Sequence, residues 1–122
     1  MHEMSIALAV VGQVEEAARA QGHDAVASVT LRVGELAGVV PNALTFCFEL
    51  ACEGTALAGA ALATEHVPGR AHCPPCDHAW PTGTPPSLTC PRCGLAAAGL
   101  VSGRELEIAR VSWSGATVPE EG

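Results

Sequence analysis

Four cysteines stand in two C-x-x-C pairs, Cys73-Pro74-Pro75-Cys76 and Cys90-Pro91-Arg92-Cys93, with 13 residues between the pairs. Each pair can curl into a knuckle that presents two thiolates. Two knuckles can then set four sulfurs tetrahedrally around a soft divalent ion, with metal–sulfur bonds of about 2.3 Å. Thiolates select zinc over hard cations, and four protein ligands leave no position open for water or substrate, so the expected site is structural. The gap between pairs is a little shorter than the roughly 15–20 residues usual for such sites. Gly94 follows the second pair and suits the tight turn that lets amides reach a sulfur, whereas Pro75 has no N–H to donate and leaves the first pair less supported. A redox C-x-x-C pair is the competing chemistry, but neither pair opens a helix after a strand. Loss of zinc is expected to unfold the segment that carries it.

The second group able to do chemistry is Met1-His2-Glu3. The α-amine of Met1, the deprotonated amide nitrogen of His2 and its imidazole can close fused chelate rings, the planar nitrogen field that Ni(II) and Cu(II) favour. A fourth position is open to the Glu3 amide or to a side chain from elsewhere in the chain. Such a site depends on pH, because its nitrogens must shed protons, and on nothing preceding Met1. His72 and His78 bracket the first cysteine pair, where they could exchange with a thiolate or respond to pH from an ordinary pKa of about 6.5. His23 and His66 have no evident partner. Cys47 reads as a core residue on the apolar face of a helix, and Cys52, five residues on, as a structural residue on a different face.

Composition removes several classes of function. The formal charge is −7, all six basic residues are arginine, and two Trp and two Phe are the only such aromatics. Phosphate neutralisation and base stacking are both poorly provided for, so no nucleic-acid partner is expected. With no lysine there is no Schiff-base residue and no Walker A loop, and any nucleotide hydrolysis must come from a partner. No nucleophile, base and orienting group fall together, and four thiolates leave zinc no Lewis-acid position, which argues against an enzyme. The apolar run Ile6 to Val11 is too short to span a bilayer and no cleavage site follows it, so a cytoplasmic protein without membrane insertion is expected.

The elements that must position these groups follow from periodicity. From Ser5 to about Gln21, Ile6, Val10, Val14 and Ala17/Ala18 recur at helical spacing before Gly22. Val26 to Val33 alternates, with Val29, Leu31 and Val33 on one side and Ser28, Thr30 and Arg32 on a wet face. Pro41 can start a second helix, in which Leu44, Cys47, Phe48 and Ala51 share a stripe that ends before Gly54. A weaker strand spans about Ala60 to Val67 and a last one Arg104 to Trp113, while the chain ends in the acidic pair Glu120-Glu121. The Pro-rich segment between these strands carries all four paired cysteines. The expected architecture is α+β: a small three-stranded sheet covered by two helices, with a four-cysteine zinc lobe inserted between the last two strands, at the tip of a hairpin. Residues 1–67 and 100–122 would form the α/β domain and 68–99 the zinc-binding insert.

Met1-His2-Glu3-Met4-Ser5, then Arg32-Val33-Gly34-Glu35-Leu36, then Val39-Val40-Pro41-Asn42-Ala43-Leu44-Thr45-Phe46, and the two cysteine pairs together resemble the HypA/HybF family across nearly the whole chain. The resemblance implies a nickel metallochaperone that delivers Ni(II) to the large subunit of [NiFe]-hydrogenase with a HypB-type GTPase, and in some members serves urease through its accessory proteins. It implies that His2 is the central nickel ligand with Met1 and Glu3 beside it, and that Cys73, Cys76, Cys90 and Cys93 hold zinc. Some members add a histidine from the zinc lobe to the nickel site; here His72 and His78 lie near the first pair and no histidine follows the second. The residues leave a zinc-ribbon adaptor for protein interaction, without a mobile metal, as the alternative.

Overall fold

The computed structural model describes residues 2–97 and 99–114, so the acidic pair Glu120-Glu121 lies outside the described residues. The elements are α1 (Glu3–Ala20), β1 (Val26–Gly34), α2 (Pro41–Cys52), β2 (Ala61–Val67), β3 (Arg70–Cys73), β4 (His78–Pro81), β5 (Gly99–Ser102) and β6 (Leu106–Trp113). The fold is α+β, with both helices and the main strands near the positions that periodicity gives.

In α1 the buried residues Ala7, Val10, Val11, Val14 and Ala18 recur every three or four positions, which makes one continuous apolar stripe. The helix closes where Gly22 takes a left-handed φ of 76° and the His23 amide folds back onto the Ala18 carbonyl at 2.8 Å. Pro41 begins α2, where its missing N–H costs nothing, and Leu44, Phe48 and Cys52 form its buried face. The stripes of α1 and α2 pack together, and with Val26, Val29 and Leu31 of β1 they supply a buried apolar core.

The described chain divides into two compact units, the first within Met1–Leu31, Val39–Thr64 and Ile108–Gly122, the second within Arg32–Gly38 and Glu65–Glu107. The main sheet has the order β2-β1-β6. Since β2 and β6 flank β1 on opposite sides, the long excursion between them is not a hairpin tip, as periodicity alone suggested. The most apolar strand takes the centre: β1 is buried at six of nine positions, whereas β2 and β6 have none fully buried. The face read as wet is so only in part: Ser28 and Arg32 are half-exposed, whereas Thr30 is only 9% exposed.

The excursion carries a sheet of its own, order β4-β3-β5, which the cysteine spacing gave no reason to expect. β3 and β4 form an antiparallel hairpin whose last pair is Cys73 opposite His78, and β5 lies antiparallel on the other side with an irregularity between Arg70 and Ala71. Its buried cluster is Ala71, Cys73, Trp80 and Cys90, too few side chains to hold a lobe without a staple.

Gly34 explains part of the Arg32–Leu36 motif. A Cβ there would overlap the Gly103 carbonyl, whose oxygen also accepts the Leu36 amide at 2.6 Å. Gly34→Ala is therefore expected to destabilise the second unit by about 1–3 kcal/mol, the scale of forced overpacking. Urea unfolding followed through Trp80 emission measures it, and an unchanged midpoint would contradict this reading of the glycine.

Candidate metal centre

The two turns between strands bring the four paired cysteines together, with their Sγ atoms all within 4.8 Å of one another. Cys73 and Cys93 sulfurs lie 3.6 Å apart. A tetrahedron with bonds of about 2.3 Å has edges of about 3.8 Å, so the cluster has the size of a four-thiolate zinc shell. It is also far too open for a disulfide, and all six cysteines are free. Among the described residues this is the one group of three or more His, Cys, Asp or Glu side chains placed to share an ion.

Both knuckles turn through a left-handed residue just after the pair. Gly94, directly after the second pair, has φ 78°, and its amide reaches the Cys90 carbonyl at 2.9 Å. Asp77 occupies the same position after the first pair with φ 49°, the left-handed region that aspartate tolerates better than most residues. Its carboxylate meets His72 Nε2 at 3.1 Å, which ties the turn to β3. The sequence read neither feature, because aspartate in that role carries no signal comparable to glycine.

Electrostatics show why the cluster suits a divalent cation. Cys76 is pushed up to about 12, first by its hydrogen bond with Cys93 and then by burial. At Cys73 the Cys76 amide favours the thiolate, yet burial and the Cys93 and Cys90 sulfurs outweigh it and the thiol is pushed up. Burial also works against a Cys90 thiolate, but the Cys93 and Arg92 amides prevail and bring it down to about 7. The Arg92 amide lies 3.4 Å from Cys90 Sγ. One sulfur is thus poised to ionise, while Cys73 and Cys76 hold their protons until a cation offsets the crowded charge. Cys73 and Cys90 are buried, Cys76 is half-buried and Cys93 is exposed.

At the other expected site, Met1 lies outside the described residues. His2 is exposed and stands at the N-cap of α1 with φ −125° and ψ 37°, its carbonyl accepting the Ile6 amide at 3.1 Å. Glu3 is the first residue of the helix, is only 6% exposed, and its Oε2 accepts the Val40 amide at 3.0 Å. That burial was not legible in the sequence.

The remaining candidates fall elsewhere. Cys52, not Cys47, is the fully buried cysteine of α2, because the buried stripe follows positions 44, 48 and 52 and leaves Cys47 at its margin. Burial first, then the charges of Glu15 and Glu49, pushes the Cys52 thiol up, which suits an inert core residue. His78 stacks near Trp80 with ring centroids 6.0 Å apart, and His23 stacks on Trp113 at 4.5 Å. Glu35, unremarked beyond its motif, accepts the Gly69 amide at 2.8 Å and the Thr84 hydroxyl at 2.9 Å. Those two bonds, the Gly69 amide foremost, hold its carboxyl below the usual range.

Fold and site together define a class: a small α+β protein with a four-cysteine metal-binding lobe set into its chain. No helix among the described residues is long and apolar enough to cross a membrane. A family model described as "Hydrogenase/urease nickel incorporation, metallochaperone, hypA" matches residues 1–113. The hydrogenase maturation factor HypA of Streptomyces avermitilis is 63% identical over 114 residues, covering 93% of this chain and 87% of that one. The factor of the same name from Chloroflexus aurantiacus is 46% identical over 108 residues, covering 88% and 95%. In fold, the chain is similar to the solution structure of the Ni metallochaperone HypA from Helicobacter pylori, with a TM-score of 0.63 at 18% identity over 91% of this chain and 96% of that one. The chain belongs to the HypA family of nickel metallochaperones for hydrogenase maturation.

Proposed function

We propose that this chain binds Ni(II) at its free amino terminus, through Met1, His2 and Glu3, and delivers it to the [NiFe]-hydrogenase large subunit in the cytoplasm. The observation that carries the reading is the position of His2 at the exposed N-cap of α1. The first intrahelical bond runs from the Ile6 amide to the His2 carbonyl, so the His2 and Glu3 amides precede the hydrogen-bonded ladder and have no helical acceptor to give up. They can lose their protons to a metal without unwinding α1. The positive end of the helix dipole favours the resulting amidate charge.

Zinc plays the separate, resident part. Cys73, Cys76, Cys90 and Cys93 hold it as a closed structural site, and residues 68–99 act as a zinc-binding insert in a nickel-binding α/β domain of 1–67 and 100–122. The ion supplies the cohesion that the four-residue buried cluster lacks. The chain is not an enzyme. It takes nickel as cargo and works with a HypB-type GTPase, which supplies the nucleotide chemistry that a lysine-free chain cannot. The same delivery could extend to urease accessory proteins. An exposed chain end also suits release, since a closed cage would hold the ion too long.

Nickel titration of the zinc-loaded protein beside His2→Ala tests the proposal. Loss of the imidazole is expected to weaken nickel at least about a hundredfold, roughly 2.7 kcal/mol, with zinc content unchanged. Stoichiometric nickel binding of undiminished affinity in the variant would overturn it.

A further inference from the structure

We infer that Glu3 is a positioning residue for the nickel site, its carboxylate fastening the first turn of α1 to Val40 at the N-cap of α2. The inference rests on the nickel reading above and assigns Glu3 a role within it. A glutamate beside a metal-binding histidine is naturally read as an oxygen donor. The geometry points elsewhere. The residue is 6% exposed, and Oε2 accepts the Val40 N–H at 3.0 Å across 37 positions of sequence. Val40 in turn begins α2, its carbonyl taking the Leu44 amide at 2.9 Å. One carboxylate thus joins the starts of two helices that pack along their length.

The effect on metal binding follows from where the fastened backbone lies. A first helical turn frays easily, because its amides lack intrahelical partners. The nitrogens proposed to chelate nickel belong to His2 and Glu3 themselves, so an untethered turn would have to be ordered each time the ion binds. A tether anchored on α2 removes part of that ordering cost in advance. A planar nitrogen field needs no carboxylate, and the bond to Val40 holds one oxygen of this one to the protein.

Val40 makes the idea testable without touching Glu3. Its φ of −90° is close to the range proline adopts, and its side chain is 54% exposed, so Val40→Pro deletes the donor N–H while costing little packing. Glu3→Gln keeps an oxygen that can accept the same N–H and removes the charge. Val40→Ala keeps the N–H and serves as the control. All are compared as zinc-loaded full chains by nickel titration, with the ligand-field absorption of the nickel complex and the thermal midpoint recorded alongside.

Glu3→Ala and Val40→Pro are each expected to weaken nickel about tenfold, the scale of one hydrogen bond to a charged group. The double variant should lose no more than Glu3→Ala alone. Glu3→Gln and Val40→Ala should stay within about threefold of the parent, and the absorption band should keep its position throughout, because the donors are unchanged. Parent-like binding in Val40→Pro, with loss and a shifted band in both Glu3 variants, would make the carboxylate a donor and overturn the inference. Parent-like binding in Glu3→Ala would overturn it as well. If Val40→Pro fails to fold, the contrast between Glu3→Gln and Glu3→Ala still decides. His2→Ala separates the two levels: loss of nickel there with no effect at Glu3 defeats only the tether, whereas retained nickel defeats the site itself.

Discussion

Acetylating the α-amine is expected to weaken nickel binding at least about a hundredfold while leaving zinc in place. The amine is the proposed donor that opens the first chelate ring, and an acetamide in its position has no lone pair to give. Losing one strong nitrogen donor and its ring should cost on the order of 3 kcal/mol, which is the hundredfold quoted. A three-residue extension ahead of Met1 should do the same. One added residue would not serve as the test, because it moves the histidine to the third position, where an amine, two amides and an imidazole still close around a planar ion. The proposal also gives the sign of the pH dependence. Each proton shed on binding makes affinity rise about tenfold per pH unit while its group is protonated in the free protein, so two amides and an ammonium give a steep climb through neutrality. A flat profile, or full affinity after acetylation, would place the ion elsewhere. Isothermal titration in two buffers of different ionisation enthalpy counts the released protons directly.

Cys90→Ala is expected to abolish stoichiometric zinc binding and to unfold the sheet β4-β3-β5. Cys90 is the proposed ligand prepared to ionise: burial opposes its thiolate, yet the Cys93 and Arg92 amides bring it down to about 7. Its removal takes away the sulfur that begins the shell. A structural zinc in a small lobe is worth about 10–16 kcal/mol of binding free energy at neutral pH. The lobe has little to set against that loss, since two of its four buried residues are themselves proposed ligands. Trp80 reports the event: it is 6% exposed and its indole N–H donates to the Ser87 carbonyl at 2.9 Å. In a Trp113→Phe background its emission should move to the red on chelation and in Cys90→Ala. The helical circular dichroism of α1 and α2 should persist, because their buried stripes belong to the other compact unit. A metal-free protein with unshifted Trp80 emission would show that the lobe holds itself together.

How much of this was legible in the sequence depends on whether the feature was local. The C-x-x-C pairs could be read outright, because tetrahedral thiolate chemistry restricts spacing tightly, and the four sulfurs do converge. The helices could be read because Val10, Val14, Leu44 and Phe48 repeat at the period of the structure that buries them. Strand order could not. Periodicity says which residues face inward, whereas the placement of β1 between β2 and β6 depends on which strand is most worth covering on both sides. The lobe's own strands escaped notice because four residues are too few to establish alternation. Long-range hydrogen bonds were equally silent: Glu3 to Val40 and Glu35 to Gly69 span 37 and 34 positions, and a glutamate in sequence looks the same whether it is solvated or tied to a distant amide. The nickel site stood between these cases. The chelating chemistry of an amino-terminal histidine is local and so open to the sequence, whereas any donor from elsewhere in the chain is not.

Two metals are proposed to occupy two different donor sets in one chain, nitrogen for nickel and sulfur for zinc. X-ray absorption at the nickel edge, on protein loaded with one equivalent of each metal, tests it most directly. The expected result is a nickel shell of light donors with an imidazole contribution, a planar-type edge, and no sulfur at any pH that retains the zinc. Nickel–sulfur scattering in that sample would put the cargo in the cysteine site and overturn the two-site proposal.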